Sequence, residues 1–211
     1  MSGEGGLRAR KKLRTRRALV EGALRLFAEK GYEETTLAEI AASAEVSTRT
    51  FFSYFAGKED VIFFDGDTRL HRAVELIGSR RPGESVVELL VRAIEQSLSA
   101  RPSAVGLDPV LGPVQVRLIM TVPALQARAL LLLFDSQQQL ARALARAFPG
   151  ELDLIEASAA VGAIVGASKL AAMTAVERGD PPELVYAAVR RAVEVTVGGL
   201  TTLDRASRLT G

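Results

Sequence analysis

Apolar residues recur along this chain at intervals of three and four, and no stretch alternates apolar with polar over a strand's length. That periodicity predicts an all-α protein. Its first clear instance is Val20, Ala23, Leu24 and Phe27, one face of a helix expected from about residue 11 to residue 30, with Gly31 as its stop. Thr36 and Glu39 then stand in the S/T-x-x-E relation of a capping box, so a second helix starts there with Ile40 and Ala41 on its apolar face. Ala44-Glu45-Val46 interrupts it. Ser47 can cap a third helix, on which Phe51 and Phe55 lie one turn apart and point inward.

Ala56-Gly57 separates these elements from a longer helix expected over residues 58–79. Beyond Arg81-Pro82-Gly83, helices are expected near residues 84–100, 109–121 and 123–148. A long small-residue helix follows over 153–178, and a last one runs from Pro181-Pro182 to about Gly198. The reading is about nine helices. Three form an amino-terminal domain over residues 11–57, the rest a larger bundle over 58–211, and residues 1–10 a disordered basic arm.

Charge changes the picture locally rather than globally. The formal net charge is only +2, yet Arg8, Arg10, Lys11, Lys12, Arg14, Arg16 and Arg17 crowd residues 8–17 without a single acid. Directly before two short helices joined by a tight turn, such a run reads as an arm that contacts phosphate or enters a minor groove. With Phe51 and Phe55 inward, the third helix turns Thr48, Arg49, Thr50, Phe52, Ser53 and Tyr54 outward. A short rod tipped with hydroxyls, a guanidinium and a phenol suits a nucleic-acid groove, and the arrangement predicts helix-turn-helix DNA binding.

Other chemistry is sparse. There is no cysteine and a single histidine, His71, so zinc fingers, cysteine nucleophiles and disulfides are excluded. No G-x-S-x-G, Walker loop or G-x-G-x-x-G occurs, and the paired acids Glu33-Glu34 and Glu59-Asp60 fall in a loop and a helix start. No enzyme activity, metal or cofactor is expected. The basic start is not followed by a signal peptide's apolar run. The apolar stretch 157–173 contains Lys169 and reads as too short and too weakly apolar for a membrane span. A cytoplasmic protein is expected.

The segment L-R-L-F-A-E-K-G-Y-E-E-T-T-L-A-E-I-A-A-S-A-E-V-S-T-R-T-F-F-S-Y-F-A-G-K-E-D resembles the DNA-binding domain of the TetR family of bacterial repressors. The likeness covers residues 16–61. Its markers are Phe27, Gly31 and Tyr32 at a helix end, the Thr-Thr start, the A-x-V-S turn, Tyr54-Phe55 and Lys58. Beyond that segment the chain matches only in being helical and of suitable length. Two positions depart from the family pattern: Glu45 and Arg49 both stand where glycine is frequent. Glu45 must then take up the turn's geometry without glycine's freedom, and Arg49 adds a long donor where DNA would lie.

The resemblance implies DNA contacts at Thr36, Leu37, Ser47, Thr48, Arg49, Thr50, Phe52, Ser53, Tyr54 and Lys58. Physical chemistry divides them. Thr36 and Ser47 sit at helix starts, where N–H groups attract phosphate, although each also reads simply as a cap and Phe52 as simple packing. Lys58 and Tyr54 suit backbone oxygens. Arg49 can pair bidentately with a guanine edge, while Thr48 and Thr50 can pack on a thymine methyl.

The same resemblance implies a homodimer on a palindromic operator. The last two helices would pair across it through Ala159, Gly162, Ala163, Gly166, Val189, Ala192, Val193 and Thr196. It also implies a small-molecule effector held near Val91, Gln96, Arg117, Met120, Phe134, Gln137 and Gln138. Release would follow when the helix starting at Lys58 moves. Two rival expectations are a DNA-binding structural or division-control protein of the same fold that ignores small molecules, and an all-helical enzyme whose helix-turn-helix pattern is accidental.

Overall fold

The computed structural model describes residues 3–99 and 111–207, with side chains defined over most of that span. Ten helices are present among the described residues: α1 (Gly3–Lys30), α2 (Leu37–Ser43), α3 (Thr48–Phe51), α4 (Lys58–Ile62), α5 (Gly66–Gly78), α6 (Val86–Ser99), α7 (Leu111–Thr121), α8 (Pro123–Ala147), α9 (Leu154–Glu177) and α10 (Pro182–Ser207). They divide into two compact units, Met1–Asp65 with Pro102–Gln126, and Gly66–Arg101 with Ala127–Gly211.

The first unit closes around Leu19, Val20, Ala23, Leu24 and Phe27 of α1, Ile40 and Ala41 of α2, Phe51 and Phe55, and Val61 and Ile62 of α4. These are the residues whose spacing predicts the inward faces. Leu118 and Ile119 of α7, with Leu125 just after it, also pack here, so this unit is larger than the expected residues 11–57. Helices α1 and α2 approach closely at Gly22, where an added Cβ would stand 2.0 Å from Ser43 Oγ and 3.0 Å from Ser43 Cβ. A side chain at that crossing would push Ser43 aside or force the helices apart.

Three elements differ from the sequence expectation, the simplest being α10, which runs to Ser207 rather than ending at about Gly198. Helix α1 begins at Gly3, so residues 3–10 of the stretch expected to be a disordered arm are helical. Glycines occupy three of its first four positions, but Leu7, Arg8, Ala9, Arg10, Lys11 and Lys12, which follow, are all strong helix formers. The helix expected over 58–79 is instead two, α4 and α5, which accounts for ten helices rather than nine. The carbonyl groups that would extend α4 are taken by side chains. Gln115 donates to Ile62 O, Arg16 donates to Phe64 O at 2.5 Å, and Phe63 leaves helical geometry at φ −104°, ψ 18°.

The second unit has its own core: Ile77 of α5; Val86, Leu89 and Leu90 of α6; Ala141, Leu144 and Phe148; and Ala157, Ala160, Val161 and Ile164 of α9. A polar clasp closes one side. Arg92 grips Glu84 through two hydrogen bonds of 2.6 and 2.8 Å, and Arg80 lies 3.7 Å over the Phe148 ring while donating to Ala147 O and Glu151. The Arg92 guanidinium holds the Glu84 carboxyl below the usual carboxylate range against the opposing pull of burial.

Helix α9 starts on a capping box in which Asp153 accepts from Glu156 N at 2.7 Å and Glu156 accepts from Asp153 N at 3.0 Å. It pairs with α10 more extensively than any other two helices do. At 24 residues it is longer than the apolar stretch 157–173 suggests. By length and composition it could cross a membrane, which corrects the expectation that it falls short. Small residues recur along it, and its polar ends are set by Asp153 and Arg178.

Candidate nucleic-acid interface

Each of the two short helices is held at its start by a side-chain cap. Thr36 Oγ1 accepts from Glu39 N at 3.3 Å, and Glu39 accepts from Thr36 N at 2.9 Å, completing the expected capping box. Lys30, at the end of α1, clamps the same carboxylate. The Lys30 contact first, and then the threonine, hold the Glu39 carboxyl down at about 2. Ser47 Oγ accepts from Thr50 N at 3.1 Å and also meets Thr50 Oγ1 at 2.9 Å. Both hydroxyls are therefore engaged locally, as the capping interpretation requires, and the backbone N–H groups beside them form the positive end of each helix.

The turn between α2 and α3 carries the strain that the sequence forecasts. Glu45 is the one non-glycine residue with positive φ among the described residues, at 56°. There it lets Glu45 N and Val46 N bond back to the Ala42 and Ala41 carbonyls, both at 3.0 Å, closing α2. A left-handed conformation costs an L-residue about 1–2 kcal/mol, so the tight turn is kept at the expense of local stability.

Past that turn the recognition segment separates into two faces. Phe51 and Phe55 are buried, with ring centroids 5.7 Å apart. Arg49, Ser53 and Phe52 are exposed, and Thr48, Thr50 and Tyr54 are half-buried. Regular helix ends at Phe51, but Phe52 N and Phe55 N still bond to the Thr48 and Phe51 carbonyls, so the winding continues to Phe55. The Arg49 side chain makes no ion pair or hydrogen bond to any described residue. Its guanidinium is free and sits on the outer face.

Lys58 has partners within the chain. Its ammonium donates to Tyr32 O at 2.9 Å and Glu33 O at 3.4 Å, sits 4.3 Å over the Tyr32 ring, and lies 3.7 Å from the Glu33 carboxylate. It ties the start of α4 to the loop after α1, and a phosphate would have to compete with these partners. Leu37 likewise packs its side chain against the core and offers only its backbone N–H outward. Sequence reasoning missed three supporting residues: Gly22, Thr35, whose buried hydroxyl donates to Gly31 O at 2.7 Å, and Gln115. Gly22 left a signal as a glycine inside a helical pattern and Thr35 as the first of the Thr-Thr pair, whereas Gln115 left none.

The residues expected to hold an effector are divided between the two units. Gln96, Phe134 and Gln138 are exposed on the second unit, and Phe134 is 61% exposed. Arg117 and Met120 belong to the first unit. Val91 alone of the set borders the groove of about 610 Å³ beside Arg81, Glu84, Val87 and Arg92, and Gln137 is half-buried elsewhere on α8. On the last two helices, Val189 and Val193 are buried within the chain itself at 8% and 6% exposure, so they do not face outward. Ala159 and Ala163 are exposed; Gly162, Gly166, Ala192 and Thr196 are half-buried.

Two capped helices around a tight turn, packed on α1 and presenting a free arginine, define a helix-turn-helix module. Comparison with known proteins agrees. Residues 19–63 match the family described as bacterial regulatory proteins, tetR family. The HTH-type transcriptional regulator TcmR of Streptomyces glaucescens is 35% identical over 150 residues, which cover 70% of this chain and 66% of TcmR. HbdR of Aromatoleum sp. (strain CIB), also an HTH-type transcriptional regulator, is 42% identical over 48 residues, 23% of this chain and 21% of its own length. The chain thus spans just under two thirds of the first relative and about a fifth of the second.

Among solved structures, the fatty acid degradation regulator FadR from Bacillus halodurans aligns with a TM-score of 0.56 at 22% identity, covering 86% of this chain and 97% of that one. FadR of Thermus thermophilus, a repressor in complex with lauroyl-CoA, aligns at 0.51 and 20% identity, covering 86% and 93%. These likenesses establish the fold. The chain belongs to the TetR family.

Proposed function

We propose that this chain is a DNA-binding transcriptional regulator that acts as a dimeric repressor on a palindromic operator and is released by a small-molecule effector. The observation that carries the reading is Arg49. It stands exposed and unpaired on the outer face of a segment whose other side is anchored by buried Phe51 and Phe55. A rigid backbone with a free guanidinium is what base reading in a major groove requires.

Dimerisation rests on the outward faces of α9 and α10. Ile155, Ala159, Ala163, Gly166 and Leu170 share one stripe of α9, and Leu184, Ala188, Arg191 and Val195 share one of α10. Ile155 is 79% exposed, and Leu170 and Val195 are 65% exposed. A Cβ added at Gly162 or Gly166 would meet nothing within the chain, so the close approach these glycines permit is available to a second copy. The reading thus keeps the small-residue stripe of α9 and replaces Val189 and Val193 with Leu184 and Val195. For the effector, the support is that a repressor of the same fold, FadR of Thermus thermophilus, binds lauroyl-CoA.

The test is selection of duplexes from a random pool by the full chain. Sequences recovered should carry an inverted repeat whose half-sites lie about one helical turn apart. Recovery of single, unrepeated sites or of no preferred sequence would contradict the dimeric operator reading.

A further inference from the structure

Upstream of the helix-turn-helix core, α1 carries a segment of unusual charge. Arg10, Lys11, Lys12 and Arg14 are all exposed and make no ion pair or hydrogen bond to any described residue. The first acid after them is Glu21, which pairs with Arg17 at 2.7 Å. The whole chain has a net charge of only +2, so without the seven cations of residues 8–17 it would be net acidic. Positive charge is therefore concentrated on one projection rather than spread over the molecule.

The placement of that projection is fixed by Arg16. Its guanidinium lies 5.5 Å from the Phe55 ring, at the end of the recognition segment, and donates to Phe64 O at 2.5 Å. From this anchor point α1 extends outward to Gly3, a further thirteen residues or about 20 Å at 1.5 Å each. The basic helix thus leaves the core beside the element that presents Arg49.

Resting on the reading of this chain as a DNA-binding protein, we infer that residues 10–14 form a helical phosphate grip, a second and sequence-independent hold on the operator's backbone. The helical form selects phosphate over the minor groove. A helix with its side chains is about 10–12 Å across, whereas the minor groove is about 6 Å wide. An extended arm could thread it; this helix cannot. The four cations also point around the helix rather than along one edge, and two are lysines, point charges suited to phosphate rather than to paired base edges. Such interactions fix register and supply affinity without carrying sequence information.

The experiment compares salt dependence for the full chain on two duplexes: one selected by the wild-type protein from a random pool, and one of mixed sequence. In the variant Arg10→Gln/Lys11→Gln/Lys12→Gln/Arg14→Gln, the slope of log K against log salt should become shallower by about 0.9 for each phosphate that is no longer neutralised. Affinity for both duplexes should fall by the same factor, about 10- to 100-fold at low salt. Lys11→Gln/Lys12→Gln should give about half the slope change. Arg10→Lys/Arg14→Lys, which keeps the charge, should bind like wild type.

An unchanged slope in the four-glutamine variant would overturn the grip while leaving DNA binding itself intact. A weakening confined to the selected duplex, or a lysine variant as weak as the glutamine one, would also overturn it by revealing an arginine-specific reader of sequence. If the wild-type chain binds neither duplex even at low salt, the DNA-binding reading fails, and the grip with it.

Discussion

The two compact units of this chain treat their apolar residues in opposite ways. In the helix-turn-helix unit, the spaced leucines, isoleucines and phenylalanines are inside, and Leu13 and Phe52 are the large apolar side chains left exposed among the described residues. In the second unit, Leu130, Leu131 and Phe134 of α8, Leu154, Ile155 and Leu170 of α9, and Leu184, Tyr186 and Val195 of α10 all stand open. Exposed apolar surface on that scale marks an interaction site. The difference teaches that the first unit buries its apolar residues in its own core, whereas the second leaves apolar side chains open, as the dimer proposed above requires.

The sharpest way to break this contrast is to put charge on the open face. Ile155→Asp with Leu170→Glu would bury two carboxylates against a second copy, and the expected result is a dimer weakened at least 100-fold, about 3 kcal/mol or more. Sedimentation velocity across a concentration series measures it. Thermal stability of the monomer should hardly change, because neither side chain contributes to the chain's own core. Unaltered self-association would mean that the stripe is merely exposed.

Next in size is the clasp, which tests whether the second unit is internally sound despite its open surface. Glu84→Gln would leave Arg92 nearly buried without its charged partner, and unfolding free energy should fall by about 3 kcal/mol in urea titrations at neutral pH. The pH dependence follows from the direction of the shift. Glu84 has a lower pKa folded than unfolded, so its contribution is complete above the ordinary carboxylate range and is lost as pH falls below about 4.5. Wild type and Glu84→Gln should therefore converge in stability on acidification. Parallel curves down to about pH 3 would place the clasp's energy elsewhere.

The smallest expected effect sharpens the account of the first unit. Glu45→Gly relieves a positive φ and should stabilise the domain, but glycine's extra backbone entropy offsets part of the gain, leaving roughly 0.5–1 kcal/mol. Denaturant melts would register the increase. A fall in stability would show that the Glu45 side chain supports the turn in a way its backbone geometry does not reveal.

Legibility in the sequence followed the same division. The capping box at Thr36 and Glu39, the cap at Ser47, and the inward turn of Phe51 and Phe55 are local features, set by residues three or four apart, and all are where the spacing puts them. The interruption at residues 63–65 was not readable, because Arg16 and Gln115 impose it from distant parts of the chain. Lys58 shows the same limit. Its identity suits a phosphate, and only the fold brings the Tyr32 and Glu33 carbonyls within its reach. Periodicity recognised α9 and α10 as helices, but it could not say which apolar stripe faces inward. Small residues crowd α9 all round, and the buried positions of α10 emerge only once α9 and α6 are in place.

The proposed base reading depends on the free Arg49 guanidinium and its rigid support. Affinity of Arg49→Ala for a complete set of single-base variants of the selected operator measures this directly. The expected profile is level at one symmetric pair of positions, where wild-type discrimination of about 1–3 kcal/mol disappears, and unchanged at the others. If the variant keeps wild-type preference at every position and binds all sequences more weakly by one common factor, Arg49 only touches the backbone and the central claim is contradicted.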